Sequence, residues 1–183
     1  MNSDARRLGG CLPLAAVLCV FGLILASFYF LLSLHLPKDA PLARMYRCEA
    51  DLAFLIKAVD HYHEVKGEYP AAGAEGLAEA TRLLSAKVNY LPDGPPPDAW
   101  GRAYQYVPHA QYGQPQWQAL RCGEAFCAPG AYQIYSAGAD GDAGMNDPAK
   151  RADDICSWDP SKPWRAVYRE ANAAFMKARR DGP

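Results

Sequence analysis

Between Cys11 and Pro37 the chain carries no Asp, Glu, Lys or Arg. A helix rises ~1.5 Å per residue and the hydrocarbon core of a bilayer is ~30 Å thick, so ~20 apolar residues span it. The run CLPLAAVLCVFGLILASFYFLLSLHLP is long enough to do so with some tilt. It exceeds the roughly 7 to 15 apolar residues of a cleaved signal peptide, and no A-x-A site follows it. An uncleaved single-pass anchor is therefore expected. Arg6 and Arg7 just before it favour a cytoplasmic N-terminus, which sends everything after Lys38 across the membrane. The division predicted is a cytoplasmic N-terminus at 1–10, an anchor at 11–37, an exported domain at 38–160 and a C-terminal amphipathic helix at 161–183.

Taking Asp4, Arg6 and Arg7 away from the chain's 19 basic and 20 acidic side chains leaves 17 and 19 in the exported part. That near balance provides no basic stripe to neutralise phosphates, so nucleic acid is not an expected partner. The exported part holds Cys48, Cys122, Cys127 and Cys156. An even number in an oxidising compartment suggests two disulfides. Cys122 and Cys127 are the natural local pair, which leaves Cys48 with Cys156, although four cysteines allow three connectivities. Zinc has no CxxC or HxxxH set here.

Past Pro41, LARMYRCEADLAFLIKAVDHYHEVKG reads as an amphipathic helix with Met45, Cys48, Leu52, Leu55, Val59 and Tyr62 on one face. Gly67 ends it as a C′ residue, and Tyr69-Pro70 prevents its resumption. A shorter helix follows around Leu77 to Leu84, then the turn-rich DGPPPDAWG. The runs AYQYV, WQALRC and AYQIYS are short β-favourable segments separated by Gly and Pro clusters, as in a small antiparallel sheet. An α+β domain is expected, with the long helix packed across that sheet. Residues 136–158 read as an acidic loop. From Trp164 a last helix should place Trp164, Val167, Ala171, Ala174, Phe175 and Ala178 on its apolar side.

Hard cations take oxygen ligands, and a loop mixing carboxylates with Gly-freed carbonyls suits them. Asp140, Asp142, Asp153 and Asp154 meet that requirement. An EF-hand does not fit, because Arg151 stands where its bidentate Glu is needed. Enzyme chemistry finds little support. His61 and His63 are i and i+2 on a helix and point to different sides. Ser136 lacks the G-x-S-x-G turn, and the phosphate-cradling GxGxxG and GxxxxGKS patterns are missing. The aromatics Tyr90, Trp100, Tyr104, Tyr106, Tyr132 and Tyr135 alternate as strand residues do and read as core and sheet surface.

The order of motifs is specific. After the apolar segment come KGEYP (Lys66 to Pro70), EGLAEA (Glu75 to Ala80), DAWGRAYQY (Asp98 to Tyr106), SAGADG (Ser136 to Gly141) and DDI (Asp153 to Ile155). In this order they resemble the major pseudopilin family of bacterial type II secretion, general secretion pathway protein G, over roughly residues 44–158. The resemblance implies an N-terminal helix against a small antiparallel sheet, a structural role in a periplasmic pseudopilus, and partners among the inner membrane, other pseudopilins and secretion-system components. It also implies calcium in the loop after the last strand. Asp140 and Asp154 would be side-chain ligands, the Ala137 and Asp142 carbonyls would complete the shell, and Ser157 stands near the family's hydroxyl position. The chain departs from the pattern at its N-terminus. Gly9-Gly10 is followed by Cys11, and Ala15 stands where the family has a Glu at the fifth mature position. A free-standing envelope binding or sensory module of the same fold, docking through its C-terminal helix, is the competing expectation.

Overall fold

The computed structural model describes residues 37–181 apart from 89–93 and 146. Helix α1 (Pro41–Lys66) opens with a proline in its first turn, where a missing N–H costs nothing. It closes at Gly67, whose φ of +77° and N–H bond to the His63 carbonyl form the left-handed cap expected from the sequence. All six residues assigned to its apolar face are buried. Helix α2 (Ala74–Val88) follows and packs beside it.

The sheet that α1 covers has three antiparallel strands in the order β1 (Gln105–Pro108), β4 (Tyr132–Ser136) and β5 (Ile155–Cys156). Two short strands, β2 (Arg121–Cys122) and β3 (Ala125–Phe126), form a separate hairpin. The α+β class and the helix-on-sheet packing thus match expectation, with the sheet's third strand drawn from an unexpected place. WQALRC contributes only the hairpin strand at its end, while Ile155–Cys156, inside the presumed acidic loop, completes the sheet. The buried side chain of Gln133 explains the exchange. Its amide oxygen accepts from the Leu120 N–H at 2.7 Å, and its amide nitrogen donates to the Leu120 and Cys127 carbonyls at 2.9 and 2.7 Å. At Leu120 the backbone is thus held by a side chain of β4 and not by a ladder with it, while Arg121 and Cys122 pair with β3.

Pairing register sorts the core into two faces. Tyr106 opposite Ile134, together with Tyr132 and Ile155, packs under α1. Tyr135 lies on the other face with Leu120, Cys127 and Ala143, which is why all five residues of β4 are buried. Cys156 is the register partner of Tyr135, and its side chain packs against both core clusters. The sulfur of Cys48 in α1 is engaged elsewhere, accepting from the Ala99 N–H at 3.3 Å. The bridge expected between Cys48 and Cys156 is accordingly not formed, and both are free thiols. A disulfide joins Cys122 to Cys127 across the β2–β3 hairpin, with the Cα atoms 5.1 Å apart.

Helix α3 (Trp164–Arg180) returns to α1. Its buried side chains are Trp164 and Tyr168, while Ala171, Ala174 and Ala178 are exposed. The stripe is rotated from the expected one because Tyr168 stacks on Trp100, with ring centroids 5.4 Å apart. Among the described residues no helix is long and apolar enough to cross a membrane. The expected anchor lies outside them except for Pro37.

Candidate functional site

The turn Asp98–Arg102 organises the loop that follows β4. Asp98 is almost fully buried and accepts from the Trp100 and Arg102 N–H groups through Oδ1, each at 2.9 Å. Its Oδ2 accepts from the Ser136 hydroxyl at 2.6 Å, tying the turn to the residue where β4 ends and the acidic loop begins. The side chain of Arg102 then crosses to the loop and donates to the Gly138 carbonyl at 2.6 Å and the Ala139 carbonyl at 3.2 Å.

Inside the loop, Ala137 uses its carbonyl to accept from the Gly141 N–H at 2.9 Å. Asp153 accepts from the Ala139 and Asp140 N–H groups through Oδ2, at 2.7 and 3.3 Å. Asp140 accepts from the Asp142 N–H, and Asp142 accepts from the Gly144 N–H and from the Lys150 ammonium, the last at 2.6 Å. Arg151 closes the far end by donating to the Gly144 carbonyl from Nε and Nη2 at 3.0 and 2.8 Å, and from Nη1 to the Arg121 carbonyl. Ser157 accepts from the Ile134 N–H through its hydroxyl oxygen at 3.2 Å.

Asp154 differs from its neighbours. It is 4% exposed and neither carboxylate oxygen has a hydrogen-bond partner among the described residues. Burial and the charges of Asp153 and Asp140 push its carboxyl up to about 7, against the opposing pull of Arg151. A buried carboxylate without a partner is costly, and a hard cation offers one direct way to satisfy it. The donor set of Asp154, Asp140 and loop carbonyls suits such an ion. Asp142 suits it less, since Lys150 already holds its carboxylate and pulls it below the usual carboxylate range. Among the described residues no three His, Cys, Asp or Glu side chains are placed to hold a metal ion, so a cation here would need carbonyl oxygens for its other ligands.

Asp98, Arg102, Lys150 and Arg151 are the residues that the acidic-loop reading passed over, while Asp153, which it did name, is occupied with the Ala139 and Asp140 N–H groups. DAWGR was visible as a motif, yet nothing in its spacing says that its Arg reaches carbonyls near residue 138. The histidines stand apart from this region: His63 stacks on Tyr69 with centroids 4.3 Å apart, and His61 lies 3.6 Å from Glu64.

Residues 38–124 match the family model described as Type II secretion system (T2SS), protein G. The chain is also 29% identical over 166 residues to type II secretion system core protein G of Escherichia coli (strain K12), covering 87% of this chain and 96% of that protein. The comparisons agree with the motif resemblance to a protein G-like pseudopilin. The family match ends at residue 124, ahead of the acidic loop.

Proposed function

From this likeness to type II secretion protein G we propose that the chain is a structural pseudopilin of a type II secretion or related system. It is anchored in the bacterial inner membrane by residues 11–37 and presents its α+β domain to the periplasm. The observation that carries the reading is the similarity across most of both chains. Its contribution is surface and shape, with partners among secretion-system components, and no bond is made or broken. Deleting the gene from its host is expected to leave type II substrates behind the outer membrane, and re-expression of the full chain to restore their export. Unchanged export after deletion would sink the proposal.

The finer reading is a calcium-stabilised loop, supported by the unpartnered Asp154 carboxylate. Asp154 and Asp140 would hold the ion with the Ala137 carbonyl, while Asp142 would contribute its own carbonyl and leave its side chain to Lys150. Ser157, whose hydroxyl oxygen accepts from the Ile134 N–H, is the weaker ligand candidate. Calcium there would neutralise clustered carboxylates and fix the loop against β5. Because an ion that binds the native state alone adds stability with concentration, the melting temperature should rise with calcium. Asp154→Ala should abolish that rise.

A further inference from the structure

We propose that Arg102 is a positioning residue for this loop, a guanidinium bracket that folds the 137–141 turn before any ion arrives and so sets the affinity of the calcium site. The affinity part rests on the calcium reading above; the folding part does not. Three observations converge on it. Arg102 donates to the carbonyls of two successive loop residues, Gly138 and Ala139. Its own backbone is fixed, because the Asp98 carboxylate accepts its N–H while its carbonyl accepts the Asp98 N–H at 2.7 Å. And the guanidinium lies against Gly141, where an added Cβ would come within 2.6 to 2.8 Å of its carbon and two of its nitrogens.

A planar guanidinium reaches two carbonyls at once, whereas the single ammonium of Lys does not reproduce that fork. A site that is folded only part of the time binds its ion more weakly by that fraction. Arg102 therefore raises calcium affinity by holding the turn, even though its positive charge by itself would disfavour a cation.

The full chain, purified in detergent, tests this with Arg102→Lys and Arg102→Gln. Hydrogen exchange is followed in chelator, and calcium is titrated calorimetrically. The amide of Gly141, bonded to the Ala137 carbonyl, should be protected in the wild type without calcium and exchange about tenfold faster in each variant, with calcium affinity falling about tenfold. Wild-type protection of Gly141 in both variants would overturn the proposal. So would tighter calcium binding by Arg102→Gln with wild-type affinity in Arg102→Lys, because charge alone would then explain the effect. If the wild type takes up no calcium while the variants still lose protection, the calcium reading fails and the bracket stands.

Discussion

Asp154 links the loop to pH at the scale of one side chain. Its carboxyl titrates at about 7 in the folded chain against a usual value near 4, so between those values the native state binds a proton that the unfolded state has released. Stability in chelator should then fall as pH rises from about 4 to about 7, by on the order of a few kcal/mol, and level off above that window. Asp154→Asn removes the titration and should flatten that slope, leaving the chelated variant more stable than wild type at pH 8. Calcium should oppose the wild-type decline, since it favours the ionised carboxylate. Thermal melts across pH, with and without chelator, check each arm. A wild-type profile with no slope between pH 4 and 7 would mean that Asp154 is solvated or paired.

Elements differ in how openly the sequence declares them. Helix α1 was legible because Met45, Cys48, Leu52, Leu55, Val59 and Tyr62 recur at helical spacing and Gly67 supplies the αL cap. Strand β5 was not, because two residues have no period of their own and become a strand only through pairing with β4, far back in the chain. The arginine contacts to the loop were equally hidden, since a guanidinium meeting a distant carbonyl leaves no local pattern. Helix α3 lies between these cases: its existence was readable, while its buried face was set by Tyr168 on Trp100 and by Glu49 of α1. Glu49 accepts from Trp164 Nε1 at 3.0 Å and from Arg165 Nε and Nη2 at 2.9 and 2.8 Å. Burial works to raise its carboxyl, but the Arg165 and Trp164 bonds and the Lys162 charge outweigh it and hold the group below its ordinary value. That depressed value adds stability above the unfolded titration near pH 4.5, which is lost as acid protonates the folded group. Glu49→Ala should cost about 1 to 3 kcal/mol at pH 7, read as a lowered denaturant midpoint, with the difference from wild type shrinking below pH 4. The cysteines give a second test at this scale. Non-reduced peptide mapping should find Cys122 bridged to Cys127, with Cys48 alkylated only after unfolding because it is wholly buried. Recovery of a Cys48–Cys156 peptide would contradict the free thiols found at both positions.

At the scale of the whole chain the question is whether subunits polymerise. Gross charge gives them no help, since the exported part carries 17 basic and 19 acidic side chains and copies of it neither attract nor strongly repel. The apolar N-terminal run is the segment to ask next, because an ionisable group there is expensive enough to be retained only for a purpose. The resembling family keeps a Glu there to meet a neighbouring subunit's N-terminal amine, whereas this chain has Ala15 and no acidic residue from Cys11 to Pro37. We therefore expect the wild-type chain, overexpressed with a matching secretion apparatus, to remain an anchored monomer or small oligomer and to yield no sheared filaments under the microscope. If the missing carboxylate is the cause, Ala15→Glu should increase filament formation wherever the peptidase also cleaves after Gly10, and intact mass reports that cleavage independently. Wild-type filaments built from subunits beginning at Cys11 would refute the expectation, and would mean that neutral side chains in the apolar run suffice to bring neighbouring subunits into register.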